Sequence, residues 1–221
     1  MNSNNQVNIV GESVSSLVFS HESFGEKFYV LDLRIPRLSG AADFIPIHVS
    51  ERIIDVTQDC VGKVFHVSGQ YRSFNFFDNG KSQLMLKVFA TEIEVVEYSA
   101  LLECKNEVML KGYICKTPNY RKTPLNREIT DLLVAVNRVY GKSDYLPCIC
   151  WGRDARYAST FPVGSEVQIQ GRIQSREYVK RHSEHDVETR VAYEVSVSNI
   201  QVVDETTNQD EGDCNRGSGC D

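Results

Sequence analysis

A chain of 221 residues with 41% hydrophobic and 24% charged side chains has the apolar mass for one or two globular domains, and no apolar run approaches the roughly 20 residues that span a bilayer. The polar opening Met1-Asn2-Ser3-Asn4-Asn5 offers no export signal, and seven cysteines without a CxxC pair argue against a complete disulfide framework, so a reduced, cytoplasmic protein is expected. The formal charge of −6 is unevenly spread: residues 1–100 hold 8 basic and 12 acidic side chains, residues 101–203 hold 15 and 12, and residues 204–221 hold 1 and 6. Local Lys and Arg density governs attraction to a polyanion, so the acidic total does not exclude nucleic acid from the second hundred residues.

In chain order, the first element is one copy of a repeat. Residues 5–52 recur at 106–153 in one register: Asn5 with Asn106, Val7 with Val108, Gly11 with Gly112, Leu31 with Leu132, Arg37 with Arg138, Gly40 with Gly141, Asp43 with Asp144, Pro46 with Pro147 and Arg52 with Arg153. After one inserted residue Gly69 matches Gly171 and Ser73 matches Ser175, and Ile93–Val96 lies over Ile200–Val203. So long a period means two copies of a whole domain. The division expected is a first domain at 1–98, a linker at 99–105, a second domain at 106–203 and a tail at 204–221, acidic and rich in Gly, Asn and Ser, that should be disordered.

In the second copy, the stretches around 107–116, 128–138, 143–152, 165–178 and 189–203 are rich in Val, Ile, Tyr and Thr and predict five strands, with one short helix over 153–161. Five strands with a helix between the third and fourth is the order of an oligonucleotide/oligosaccharide-binding barrel, so the predicted fold is all-β, two such barrels in tandem. Alternation then assigns faces. On the third strand Leu146, Cys148 and Cys150 point inward, leaving Tyr145, Pro147, Ile149 and Trp151 outside. On the fourth, Val167, Ile169 and Ile173 point inward, and Arg172, Gln174, Arg176 and Tyr178 line the outside. Rings for base stacking beside guanidinium groups for phosphates suit a single strand of any sequence.

These residues carry a family resemblance. The opening run Asn106-Glu-Val-Met-Leu-Lys-Gly112, the turn Thr117-Pro-Asn-Tyr-Arg-Lys-Thr-Pro124, and the segments Leu133-Val-Ala-Val-Asn-Arg138, Asp144-Tyr-Leu-Pro-Cys-Ile-Cys-Trp-Gly152 and Gly171-Arg-Ile-Gln-Ser-Arg-Glu-Tyr178 resemble the bacterial single-stranded DNA-binding protein family. The resemblance implies stacking of bases on Tyr140, Tyr145, Trp151 and Tyr178. Around them Arg138, Arg153, Arg172, Gln174, Arg176, Lys180 and Arg181 are expected to contact DNA. It also implies a homodimer with four barrels, a nucleoid-associated role in replication, recombination or repair, and contacts with replication or repair proteins. The first copy has Ser39 for Tyr140 and Ser50 for Trp151, so Arg37, Phe44, Arg52, Arg72, Phe74 and Phe76 form either a weakened DNA surface or a protein-contact surface. Family tails commonly end in a hydrophobic tip, and Asn215-Arg-Gly-Ser-Gly-Cys-Asp221 has none.

Other chemistry finds little footing. His182 and His185 with neighbouring acids lack the third ligand and cysteine pair of a tetrahedral metal site, so no metal or other cofactor is expected. Neither a Gly-rich phosphate loop nor a GxSxG or HExxH motif is present, and no enzymatic activity is expected. The alternative is a protein-interaction scaffold built on the same barrels, such as a replication-restart accessory factor.

Overall fold

The computed structural model describes residues 4–78, 81–181 and 187–203, leaving aside the side chains of residues 76–83 and 180–188. The tail and the His182–His185 segment therefore lie outside the described residues, as do the Phe76, Lys180 and Arg181 side chains. The strands of the first half are β1 (Asn5–Ser13), β2 (Val18–Ser23), β3 (Glu26–Pro36), β4 (Ala42–Ser50), β5 (Val64–Asp78) and β6 (Lys81–Val96). A 3₁₀ turn at Tyr98–Glu103 leads to β7 (Asn106–Ile114), β8 (Asn119–Lys122), β9 (Glu128–Asn137), β10 (Ser143–Trp151), α1 (Gly152–Ala158), β11 (Glu166–Arg181) and β12 (Val187–Val202).

Five strands close each half into a ring. In the first, β1 pairs with β3 and β5, β3 with β4, and β5 with β6, and the ring shuts where β4 and β6 run parallel at Ile47↔Val88 and His48↔Phe89. The second half repeats the circuit, closing at Cys148↔Val195 and Ile149↔Ser196. The short β2 and β8 extend the edges of β3 and β9. Both rings are thus oligonucleotide/oligosaccharide-binding barrels. Inward residues alternate as a half-buried sheet requires: Leu31, Leu33, Ile35, Ile45 and Ile47 in one, and Val134, Leu146, Cys150 and Ile169 in the other, have no exposed surface. Gly69 and Gly171 sit at matching bulges on β5 and β11. A Cβ there would fall 2.2 Å from the Phe89 carbonyl oxygen and 2.4 Å from that of Ser196, which explains the shared glycine.

The predicted helix forms only in the second barrel. In the first, the equivalent residues 51–62 are turns. Ile53, Ile54, Val56 and Thr57 are β-branched, and the Asp55 carboxylate accepts from the Thr57 amide (3.0 Å) and hydroxyl (2.7 Å), a local turn that competes with helix. The second barrel has Arg-Asp-Ala-Arg-Tyr-Ala there, with Ala155 and Ala158 packed inward.

The barrels join through an antiparallel pairing of β1 with β7, running from Asn5↔Leu110 to Ile9↔Asn106 with Val7↔Val108 at its centre. Adding 101 to the first member of each pair and subtracting it from the second generates a pair of the same set, so the chain has an internal twofold through the two valines. Several of the repeat identities serve this contact. Asn5 exchanges two hydrogen bonds with the Tyr71 backbone (2.7 and 2.8 Å), and Asn106 does the same with Ile173 (2.8 and 2.9 Å). Asp43 crosses to the second barrel, accepting from the Ser175 amide (2.7 Å) and Arg172 (3.1 Å). Asp144 crosses back to the Ser73 amide (2.6 Å).

Candidate nucleic-acid interface

The outer face of the second barrel carries Tyr145 and Trp151 on β10 and Tyr178 on β11, exposed by 47, 36 and 37%. Trp151 precedes Gly152, whose φ of +57° turns the chain from strand into helix, and its indole donates to the Ser196 hydroxyl (3.3 Å) on β12. That bond ties the ring edge to β12 while the residue stays partly exposed. The exposed Arg176 lies one alternation before Tyr178 on β11, and the Arg153 side chain, 93% exposed, sits at the start of α1. Tyr140, 92% exposed, stands at the tip of the turn between β9 and β10. Lys180 and Arg181 continue β11, paired with Glu188 and Val187.

Other predicted contacts are held within the protein. The Arg138 guanidinium pairs with the buried Asp144 (Nε to Oδ2 2.8 Å) and donates to the Ser73 carbonyl of the first barrel (3.1 Å); the bond to Asp144 raises its pKa. Arg172 reaches Asp43 across the axis, with burial and the nearby Arg37 lowering its pKa. Gln174, 8% exposed, donates to Glu194 (2.5 Å), and Ile149 is 4% exposed. Alternation puts Arg172, Gln174 and Ile149 on the open face, with Arg138 expected beside them; the contact between barrels engages both arginines, and the neighbouring strand engages Gln174.

The structure also adds residues that sequence reasoning passed over. Tyr120, Arg121 and Lys122 form β8, exposed beside β9. Register sets Arg121 opposite Ile129, itself opposite Trp151, so the guanidinium shares a cross-strand row with the indole. Arg121 bonds Asp131 at two points (2.7 and 3.2 Å) with 47% of its side chain exposed, so the pair stands at the surface beside the indole. The signal was the aromatic-basic run Tyr-Arg-Lys, obscured because prolines at 118 and 124 read as a turn.

At the matching face of the first barrel the rings turn on one another. His48 stands where the second barrel has Ile149, 4% exposed, with centroids 5.2 Å from His21 and Phe28, 5.6 Å from Phe89 and 5.9 Å from Phe74. Burial, helped by Lys87, pulls its pKa to about 4. The Arg72 guanidinium lies 3.8 Å above the Phe89 ring. Ser50 bonds Glu26, which also pairs with Arg52 (3.2 Å), and Arg37 pairs with Asp43 (2.7 Å). Of the predicted secondary set only Phe44, 48% exposed, offers a ring outward among the described side chains. Among the described residues no three His, Cys, Asp or Glu side chains group as a metal site, and no helix is long and apolar enough to cross a membrane.

Residues 105–203 match the single-strand binding protein family. A single-stranded DNA-binding protein 2 from Listeria innocua is 34% identical over 80 residues, 33% of this chain and 50% of that protein. Single-stranded DNA-binding protein B of Bacillus subtilis is 34% identical over 80 residues, 33% of this chain and 71% of that one. The match thus spans about half the length of the Listeria relative. The wild-type single-stranded DNA binding protein from Thermus aquaticus superposes with a TM-score of 0.72 at 19% identity, covering 96% of each chain, a likeness of fold over both barrels.

Proposed function

Because the chain belongs to the single-strand binding protein family, we propose that it binds and protects single-stranded DNA without sequence preference, through the outer face of its second barrel. The observation that carries this reading is the exposure of Trp151, Tyr145 and Tyr178 on one barrel face, bordered by Arg176 and Arg121. Bases stack on the rings and the arginines meet the phosphates. Stacking is worth roughly 1–3 kcal/mol per base, so Trp151→Ala and Tyr178→Ala should each weaken binding of a labelled oligothymidylate by about tenfold in an anisotropy titration. Unchanged affinity in both folded variants would overturn the assignment. The role is a binding one, in the cytoplasm at replication or repair intermediates.

Two chains assemble into a four-barrel homodimer in this reading. A shallow groove of 730 Å³ crosses the internal twofold, lined by Gln6, Asn8, Ser68, Glu107, Met109 and Gln170. Met109 is 44% exposed at its floor, and a partner's equivalent face is the self-complementary surface that a twofold contact requires. Met109→Glu should shift the sedimenting species from twice 25.0 kDa to a single chain. A species that stays at one size in both proteins would rule the contact out.

A further inference from the structure

The internal twofold generates two grooves where the barrels meet, and their chemistry differs. One, of 320 Å³, is lined by Arg37, Leu38, Ser39 and Asp43 of the first barrel with Glu103 and Arg172. Its two arginines converge on Asp43, and Glu103 adds a second acid, so cations and anions balance. The other, of 900 Å³, is lined by Arg138, Val139, Tyr140, Lys142 and Asp144 of the second barrel facing Gln70 and Arg72 of the first. Here three cations surround one carboxylate.

A swap of two residues causes the difference. The first barrel reads Gln70-Tyr-Arg72 where the second reads Arg172-Ile-Gln174. Arg172 therefore reaches the opposite barrel's aspartate, whereas at the matching place Gln70 brings no charge. Arg72 instead lies flat on Phe89 and bonds Gln70 (2.9 Å), and its attraction to Asp144, which Arg138 already holds, offsets only part of the cost of its burial. Burial and repulsion from Arg138 lower its pKa, as expected for positive charge short of compensation. Tyr140 replaces Ser39 at the rim and Lys142 replaces Ala41.

We propose that this groove is a bridging subsite for single-stranded DNA, in which Arg72 and Lys142 take a phosphate and Tyr140 stacks on the adjoining base. The inference rests on the second barrel being the main DNA surface, and it gives the first barrel a direct part in binding through Arg72. The strand crosses from one barrel to the other at the turn between β9 and β10.

The test is a salt titration of the full chain with two oligothymidylates, one short enough to stay on the second barrel and one long enough to leave it. Every phosphate that a cation neutralises adds about 0.7 to the steepness of log K against log salt. Arg72→Gln and Lys142→Ala should therefore each flatten the long-oligonucleotide slope by about that amount and weaken binding severalfold at low salt. Arg72→Lys should keep the slope, Ser39→Ala in the balanced groove should change nothing, and the short oligonucleotide should bind all of them alike. Saturating quench of Trp151 should survive in every variant. Long-oligonucleotide slopes equal to wild type in both Arg72→Gln and Lys142→Ala would overturn the subsite. Absence of Trp151 quenching in the wild-type protein would instead overturn the parent reading. If Arg72→Gln lowers the thermal midpoint, exposed Lys142 decides alone.

Discussion

At the scale of single residues, the two barrels differ by what occupies one strand position. Trp151 is exposed and held by Ser196, while its counterpart Ser50 is buried and bonded to Glu26, so only the second barrel presents an indole. Next to that position, His48 replaces Ile149 and sits among rings with neither nitrogen hydrogen-bonded. Its pKa falls from 6.5 to about 4 on folding, so between those values the unfolded chain takes up a proton that the folded one refuses. Its contribution to stability is whole above pH 6.5, declines as pH drops through the window, and is gone below about 4. Urea denaturation across that range should show His48→Phe losing less stability on acidification than wild type. Parallel pH profiles would show that His48 is protonated freely in the folded barrel. Trp151, Tyr145 and Tyr178 were legible in the sequence because alternation alone puts them outside. Arg138 and Arg172 were not, because a guanidinium aimed at a phosphate and one aimed at a buried carboxylate read alike along a strand.

At the scale of elements, the contact between β1 and β7 fixes how the barrels sit. The chain itself carries a sign of it: one repeated arginine lies six residues before a repeated aspartate, Arg37 before Asp43 and Arg138 before Asp144, across the hairpin turn. What the sequence could not show was that each aspartate also meets the other barrel, since Asp43 and Ser175 lie 132 residues apart in the chain. Asp43 and Asp144 are 0 and 1% exposed, and removing one partner of a buried, hydrogen-bonded pair leaves an uncompensated charge. Asp144→Ala, which strands Arg138 and the Ser73 amide, should therefore cost about 3–5 kcal/mol in chemical denaturation. A loss under about 1 kcal/mol would mean that the pair is solvated and behaves as a surface ion pair. The five strands of the second barrel followed from their β-branched and aromatic runs, and the helix expected over 153–161 forms over Gly152–Ala158, with Ala155 and Ala158 packed inward. The helix expected in the first barrel failed because the Asp55 turn and the β-branched residues around it oppose helix locally.

At the scale of the whole molecule, charge and aromatic exposure point the same way. The second hundred residues carry 15 basic and 12 acidic side chains with Tyr145, Trp151 and Tyr178 exposed; the first hundred carry 8 and 12, and on the matching face Phe28, His48 and Phe89 pack on one another. In the proposed reading the second barrel is the main DNA surface and the first contributes through Arg72, the two being joined by the pairing of β1 with β7. Binding that relies on phosphate contacts must weaken as salt rises, while stacking persists, so wild-type affinity should fall with salt yet still discriminate single strands from duplex. The measurement that tests the account most directly is a titration of the full chain with oligothymidylate, read by the fluorescence of Trp151, the only tryptophan, at low and high salt and against a duplex competitor. The account predicts deep quenching at saturation, a midpoint that moves to higher DNA concentration with salt, and no displacement by equimolar duplex. Tight binding of the oligonucleotide with Trp151 emission unchanged, or displacement by duplex on equal terms, would contradict it.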